Sequence, residues 1–258
     1  MNSYKTSNVA IQLYTLRDFC KTVPDLVKTA EKVRKIGYQA VQASGIGVTP
    51  SEAKKVFADA GLTVCATHES SDLILKNPEE ACKRMEQIGT KHTAYPYPGG
   101  VDFADEASVR NLVKQLEAAG KVMAKHGCIL SYHNHAIEFI RFDNSTVLDF
   151  IYESTDPAYL KAELDTYWVQ NGGGDPAAWL EKLSGRAPLL HLKDYSVGAD
   201  HKPVFAEIGR GNLDWKRILT AAEKAGTEWL IVEQDSCPGD PFDSIKLSYD
   251  YLAKLLGK

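Results

Sequence analysis

SYHNHAIEF, residues 131–139, is the stretch on which the reading of this chain turns. Cys128-Ile129-Leu130 runs into it and has the apolar character of a buried strand. Successive side chains of a strand alternate faces, so His133 and His135 share one face while Asn134 takes the other. Glu138 follows in the next loop. Nitrogen and oxygen donors are therefore gathered at the end of one strand, and the question is whether neighbouring strands do the same.

Working outward, an amphipathic segment at 106–126, closed by Gly127, precedes this strand, and a second helical segment follows at 145–154. The alternation continues in both directions. Strands are expected at 8–13, 38–42, 62–67 and 91–94 on one side, and at 159–164, 188–192 and 228–233 on the other. Helices are expected at 23–36, 50–60, 78–88, 175–183, 213–225 and 241–256. Gly37, Gly61, Gly89 and Gly226 stop four of these helices, the usual C-terminal punctuation. Strands alternating with helices imply a parallel sheet with right-handed crossovers. Eight such units in 258 residues favour a single closed (β/α)8 barrel spanning 1–258 over an open sheet. Gly209-Arg210-Gly211 does not directly follow a strand and so fails as a dinucleotide fingerprint.

In such a barrel the active site lies at the C-terminal strand ends. The polar residues there are Gln12, Tyr14 and Arg17 after the first strand and His68 and Glu69 after the third. Asp165 and Trp168 follow the sixth, His191 and Lys193 the seventh, and Glu233 and Asp235 the eighth. Any one of these reads as a solvated loop charge. Carboxylates and imidazoles converging from consecutive strands would repel or be stranded without water unless a cation neutralised them. The mixed oxygen and nitrogen donors suit a divalent metal, Mn²⁺, Co²⁺, Zn²⁺ or Mg²⁺.

YHNHAIEF, LDTYW, HLKDY and GRGNLDW carry a more specific signal. With them the chain resembles the xylose-isomerase-like barrel superfamily, in its sugar phosphate isomerase/epimerase branch, over nearly its whole length. The resemblance implies one divalent metal held by Glu, Asp, His and Glu from strands five to eight. Asp165, His191 and Glu233 match the last three. At the first position the chain departs, with His133-Asn134-His135 where relatives often have Glu-Asn-His. Either His133 takes that place or Glu138 reaches back; Glu138 is preferred, because it keeps the usual anionic site. A second departure puts Trp168 where related epimerases often place a sugar-binding histidine.

The expected chemistry is an enediolate formed next to a polarised carbonyl. Glu233, Glu138, His133 and His135 are the candidate proton-transfer groups, and Gln12, Tyr14, His68, Trp168 and Lys193 the candidate substrate contacts. Glu207, Asp194 and Asp235 are candidates for orienting a metal-bound imidazole. The leading expectation is a sugar isomerase or epimerase. The alternative is a lyase or hydratase of 3-keto-sugars or inososes. A phosphodiesterase and a non-catalytic sugar-binding barrel stand behind both.

Composition narrows the partners. Thirty basic against 34 acidic residues leave no general basic footprint for nucleic acid. No apolar run approaches membrane-spanning length, and the N-terminal MNSYKTSNVAIQLY has no hydrophobic signal core. A cytoplasmic, soluble enzyme of small carbohydrates is expected, with homo-oligomerisation left open. The five cysteines are scattered and odd in number, which reads as reduced thiols.

Overall fold

The computed structural model describes residues 3–142 and 144–257. Met1 and Asn2, which open the stretch read as lacking a signal core, lie outside the described residues. The barrel strands are β1 Val9–Gln12, β2 Ala40–Ala43, β3 Thr63–Thr67, β4 His92–Tyr95, β5 Ile129–His133, β6 Lys161–Asp165, β7 Leu189–Leu192 and β8 Trp229–Val232. They pair in parallel around a closed ring, in the order of the chain. β1 closes on β8 through Ala10 opposite Ile231 and Ile11 opposite Val232. This is the (β/α)8 barrel expected from the alternation.

The period of two along each strand sorts side chains into two cores. Ile11, Leu130, Leu164, Leu192 and Val232 face outward and pack under the helices. Ala10, Ala40, Cys65, Ala66, Leu189 and Ile231 form a separate, smaller cluster inside the barrel. Small residues low in the barrel leave the inward positions nearer its mouth for Gln12, Gln42, Glu163 and His191, all fully buried.

The surrounding helices are α1 Val23–Ile36, α2 Pro50–Asp59, α3 Ser71–Lys76, α4 Pro78–Ile88, α5 Glu106–Lys125, α6 Val147–Glu153, α7 Thr166–Asn171, α8 Pro176–Lys182, α9 Trp215–Ala225 and α10 Pro241–Leu255. Their starts are capped by side chains. Thr49 and Glu52 form a reciprocal box at α2, and Asp105 accepts two backbone N–H groups at α5. At Gly37, the end of α1, φ is 130° and an added Cβ would lie 2.4 Å from the Tyr249 ring. That glycine lets α10 close over the start of the chain, where Tyr38 also donates to the Ile245 carbonyl at 2.8 Å. Two short hairpins were not expected: Arg141–Phe142 with Ser145–Thr146, and Asp194–Val197 with Pro203–Ala206. Among the described residues no helix is long and apolar enough to cross a membrane.

One buried ionisable group lies on β4. His92 has neither ring nitrogen hydrogen-bonded, and the Glu228 carboxylate is 3.6 Å away. Burial lowers its pKa, with Glu228 opposing. The folded state therefore takes up a proton less readily than the unfolded chain. Stability from this site is complete above the unfolded value, about 6.5, and is lost as pH falls below it. In His92→Gln the melting temperature should fall less steeply between about pH 7 and pH 5 than in the parent. Equal slopes would refute the assignment.

Candidate active site

The C-terminal ends of β5 to β7 and the residue after β8 bring four donors together. One ligating atom each from His133, Asp165, His191 and Glu233 lies within 4.8 Å of the others, and all four residues are buried. Strand register explains the convergence: Asp165 pairs with His191, and His191 with Ile231, two residues before Glu233. Asp165 is fixed by a double role. Its Oδ1 accepts from Trp168 N at 3.0 Å as the N-cap of α7, and its own N–H donates to Asn134 Oδ1 at 2.9 Å. Its Oδ2 is left facing the barrel mouth, 3.3 Å from His133 Nε2.

Hydrogen-bond partners assign the imidazole tautomers. His133 Nδ1 lies 3.2 Å from the Pro96 carbonyl, which can only accept, so Nδ1 keeps a proton and Nε2, which faces Asp165, is the nitrogen left to bind a cation. His191 Nε2 faces Gln42 Oε1 at 2.6 Å and Glu163 Oε1 at 3.1 Å and likewise keeps its proton, which leaves Nδ1 as the nitrogen that can bind a cation. Its Nδ1 points at Glu233 Oε2, 2.9 Å away, and at Asp165 Oδ2, 3.8 Å away. A tetrahedral ion with bonds of about 2.1 Å has donors roughly 3.4 Å apart, and these separations bracket that value. Two nitrogens and two carboxylate oxygens of this spacing fit a divalent cation.

Electrostatics show how strongly the cluster demands positive charge. Burial alone would lower the His191 pKa, yet Glu163 and Glu233 hold it well above the ordinary imidazole value. Burial would raise Asp165 and Glu233, yet Lys193 and His191 hold both below the usual carboxylate range. Lys193 is the unexpected member. Its side chain is buried, with Nζ 3.0 Å from Asp165 Oδ2, 2.8 Å from Glu233 Oε2 and 3.2 Å from Asp235 Oδ1. Above the cluster opens a cavity of about 500 Å³, lined among others by Tyr14, Arg17, Tyr97, His135 and Trp168.

The family model described as "Xylose isomerase-like TIM barrel" matches residues 30–255. The chain belongs to that family. Among its relatives is an inosose dehydratase of Geobacillus thermodenitrificans, 28% identical over 163 residues, covering 57% of this chain and 54% of the relative. The chain thus spans about half the length of that relative. A sugar phosphate isomerase/epimerase from Parabacteroides distasonis superposes with a TM-score of 0.81 at 22% identity, covering 100% of this chain and 98% of that one. An L-ribulose 3-epimerase superposes with a TM-score of 0.73 at 15% identity, covering 96% and 94%. These structural likenesses show the fold.

Within this xylose isomerase-like barrel, several expected residues sit elsewhere. Glu138 does not join the four donors. It is fully buried on the turn Ile137–Phe139, accepting from Tyr132 Oη and from His135 N–H, each at 2.7 Å. Tyr132 belongs to the outward core, so Glu138 lies behind β5, and His133, the other candidate, is the one grouped with Asp165, His191 and Glu233. Gln12 is a layer below the pocket, with Nε2 3.4 Å from His68 Nδ1 and Oε1 accepting from Tyr14 N. His68, Tyr14, Trp168 and Lys193, the other candidate substrate contacts, line the cavity. His135 also lines it and is pushed down to about 2 by burial, then by His133 and Lys193, so it is neutral.

Asp194 orients no imidazole. It accepts from the backbone N–H groups of Gly209, Gly211 and Leu213 and from Trp215 Nε1, pinning the GRGNLDW loop. A Cβ at Gly211 would lie 2.3 Å from Asp194 Oδ1, so that approach requires glycine. Glu207 accepts from Ser244 Oγ at 2.9 Å, away from the four donors. Glu163 and Gln42 were not singled out from the sequence. Glu163 receives His191 and His68 on one oxygen and Gln42 Nε2, at 2.6 Å, on the other. Its position two residues before Asp165, on the same strand face, was the available signal.

Proposed function

We propose that this chain is a divalent-metal-dependent lyase that removes water from a polyol ketone, the second of the two leading expectations from its sequence. The observation that carries this reading is an acid and a base paired in the pocket lining. The Lys193 ammonium stands 3.2 Å from the Asp235 carboxylate, while His135 is neutral. An epimerase that removes a proton from one face and returns it to the other needs a proton-transfer group on each. With Glu138 turned away and His133 among the four donors, the acid and the base left in the lining are Lys193 and Asp235, in contact with each other. The names borne by the curated relatives point the same way.

His133, Asp165, His191 and Glu233 would hold the metal, which supplies polarisation of the substrate carbonyl. Tyr14, Tyr97, His135 and Trp168 line the cavity beside the four donors and offer aromatic surface to the substrate. Burial raises the Asp235 pKa, which makes it a stronger proton acceptor than Glu233. Asp235 takes the proton from the carbon next to the carbonyl. The electron pair moves into a carbon–carbon double bond as the bond to the β-hydroxyl breaks. The Lys193 ammonium protonates that hydroxyl, which leaves as water. The proton on Asp235 then returns to Lys193 across their 3.2 Å contact.

Incubation with an inosose and with a ketose, under Mn²⁺ or Co²⁺, separates the readings by product analysis. Loss of water from the inosose supports the proposal; epimerised or isomerised ketose without loss of water overturns it. Asp235→Asn should slow turnover by about 10²–10⁴-fold.

A further inference from the structure

Lys193 and the four-donor group use the same two oxygens. Asp165 Oδ2 faces His133 Nε2 at 3.3 Å and Lys193 Nζ at 3.0 Å. Glu233 Oε2 faces His191 Nδ1 at 2.9 Å and Lys193 Nζ at 2.8 Å. An ion bonded to Glu233 Oε2 at about 2.1 Å would therefore lie within about 5 Å of the ammonium. Two cations that close, in a site where every donor is buried, repel strongly. The lysine also has somewhere else to go. Asp235, the third carboxylate on its Nζ, is outside the four-donor group, and its side chain is 27% exposed at the cavity lip. The faces of Trp168 and Phe205 stand 5.6 and 5.8 Å from Nζ and favour a cation on that side.

We propose that Lys193 is a tethered cation that competes with the divalent ion for Asp165 and Glu233 and so sets the affinity of the site. This inference rests on the metal-site reading above and adds to it a role for the lysine before any substrate arrives. When an ion enters, the ammonium gives up Asp165 Oδ2 and Glu233 Oε2 and keeps Asp235. The lysine thereby supplies positive charge to a buried carboxylate cluster that would otherwise be strongly destabilising. It also places an acid next to the substrate only once the ion has displaced it.

The test is metal affinity, measured by calorimetry with Mn²⁺ on the chelator-stripped chain. Lys193→Met and Lys193→Gln should bind one ion per chain about ten-fold tighter than the parent or more, since the repulsion and the competing bonds are gone. Their melting temperatures should also rise more on saturation with Mn²⁺. Asp235→Asn removes the place to which the ammonium retreats, so it should bind more weakly, and that loss should shrink in the Lys193→Met background.

If the parent binds one ion and both lysine variants bind it with unchanged or weaker affinity, the competition is refuted while the metal site stands. If folded parent and variants all bind no ion, the metal-site reading falls and this inference with it. Should the lysine variants not fold, Asp235→Asn decides, because unchanged affinity there overturns the proposal.

Discussion

His133→Ala should strip the purified chain of its divalent ion, and Glu138→Gln should not. In His133→Ala the Nε2 that faces Asp165 Oδ2 is removed while Asp165, His191 and Glu233 stay in place. Losing a direct bond should weaken the ion by more than the roughly 10–100-fold seen when only an outer partner is lost. Turnover should fall with the metal content of the same preparation. Asp165→Asn should behave likewise, because its Oδ2 also belongs to the group. Glu138→Gln acts behind β5, where the carboxylate receives Tyr132 Oη and His135 N–H. Its cost should appear in stability, about 1–3 kcal/mol for a disturbed buried hydrogen bond, with metal content unchanged. Elemental analysis and thermal melts on both variants read the contrast. A metal-free Glu138→Gln beside a metal-loaded His133→Ala would reverse the assignment.

The misplacement of Glu138 shows where sequence reasoning runs out. Strand periodicity carries direction, so His133, Asp165, His191 and Glu233 are legible from the sequence as inward groups. The three-residue step from His135 to Glu138 carries none. The turn Ile137–Phe139 rolls the side chain to the face that Tyr132 already occupies, and no spacing rule anticipates that. Gln12 failed differently: its direction was right, but its depth is set by how far β1 is staggered against β2, where it pairs with Gln42. The alternation of strands and helices, with glycine stops such as Gly89 and Gly226 in left-handed conformation, did suffice for the barrel. The hairpin Asp194–Val197 with Pro203–Ala206 carries a legible pattern that the expected elements do not include. Its alternating Tyr195, Val197 and Val204, Ala206 flank the turn residues Gly198 and Asp200. That hairpin brings Phe205 onto Tyr167, with ring centroids 4.1 Å apart, and so backs the wall that Trp168 presents to the cavity.

Glu163→Gln should weaken the ion by about 10–100-fold although Glu163 touches none of its expected coordination positions. The reason is a network that only a carboxylate completes. Glu163 Oε1 accepts from His191 Nε2 and from His68 Nε2, and Oε2 accepts from Gln42 Nε2, while Gln42 Oε1 also faces His191 Nε2. An amide at 163 must turn its NH₂ either toward the two imidazoles or toward Gln42 Nε2, a donor in both cases. If Gln42 flips to relieve the second clash, its own NH₂ meets His191 Nε2–H. The remaining escape is for His191 to move its proton to Nδ1, the nitrogen that faces Glu233 and Asp165, and that proton blocks the lone pair a metal needs. Glu163→Leu is the harsher variant. It leaves His191, His68 and Gln42 without their shared acceptor inside the barrel and should cost about 3–5 kcal/mol. Calorimetric metal titration and denaturant unfolding of the two variants measure these effects separately. Full metal affinity in a folded Glu163→Gln would show that the tautomer of His191 is held by some other contact.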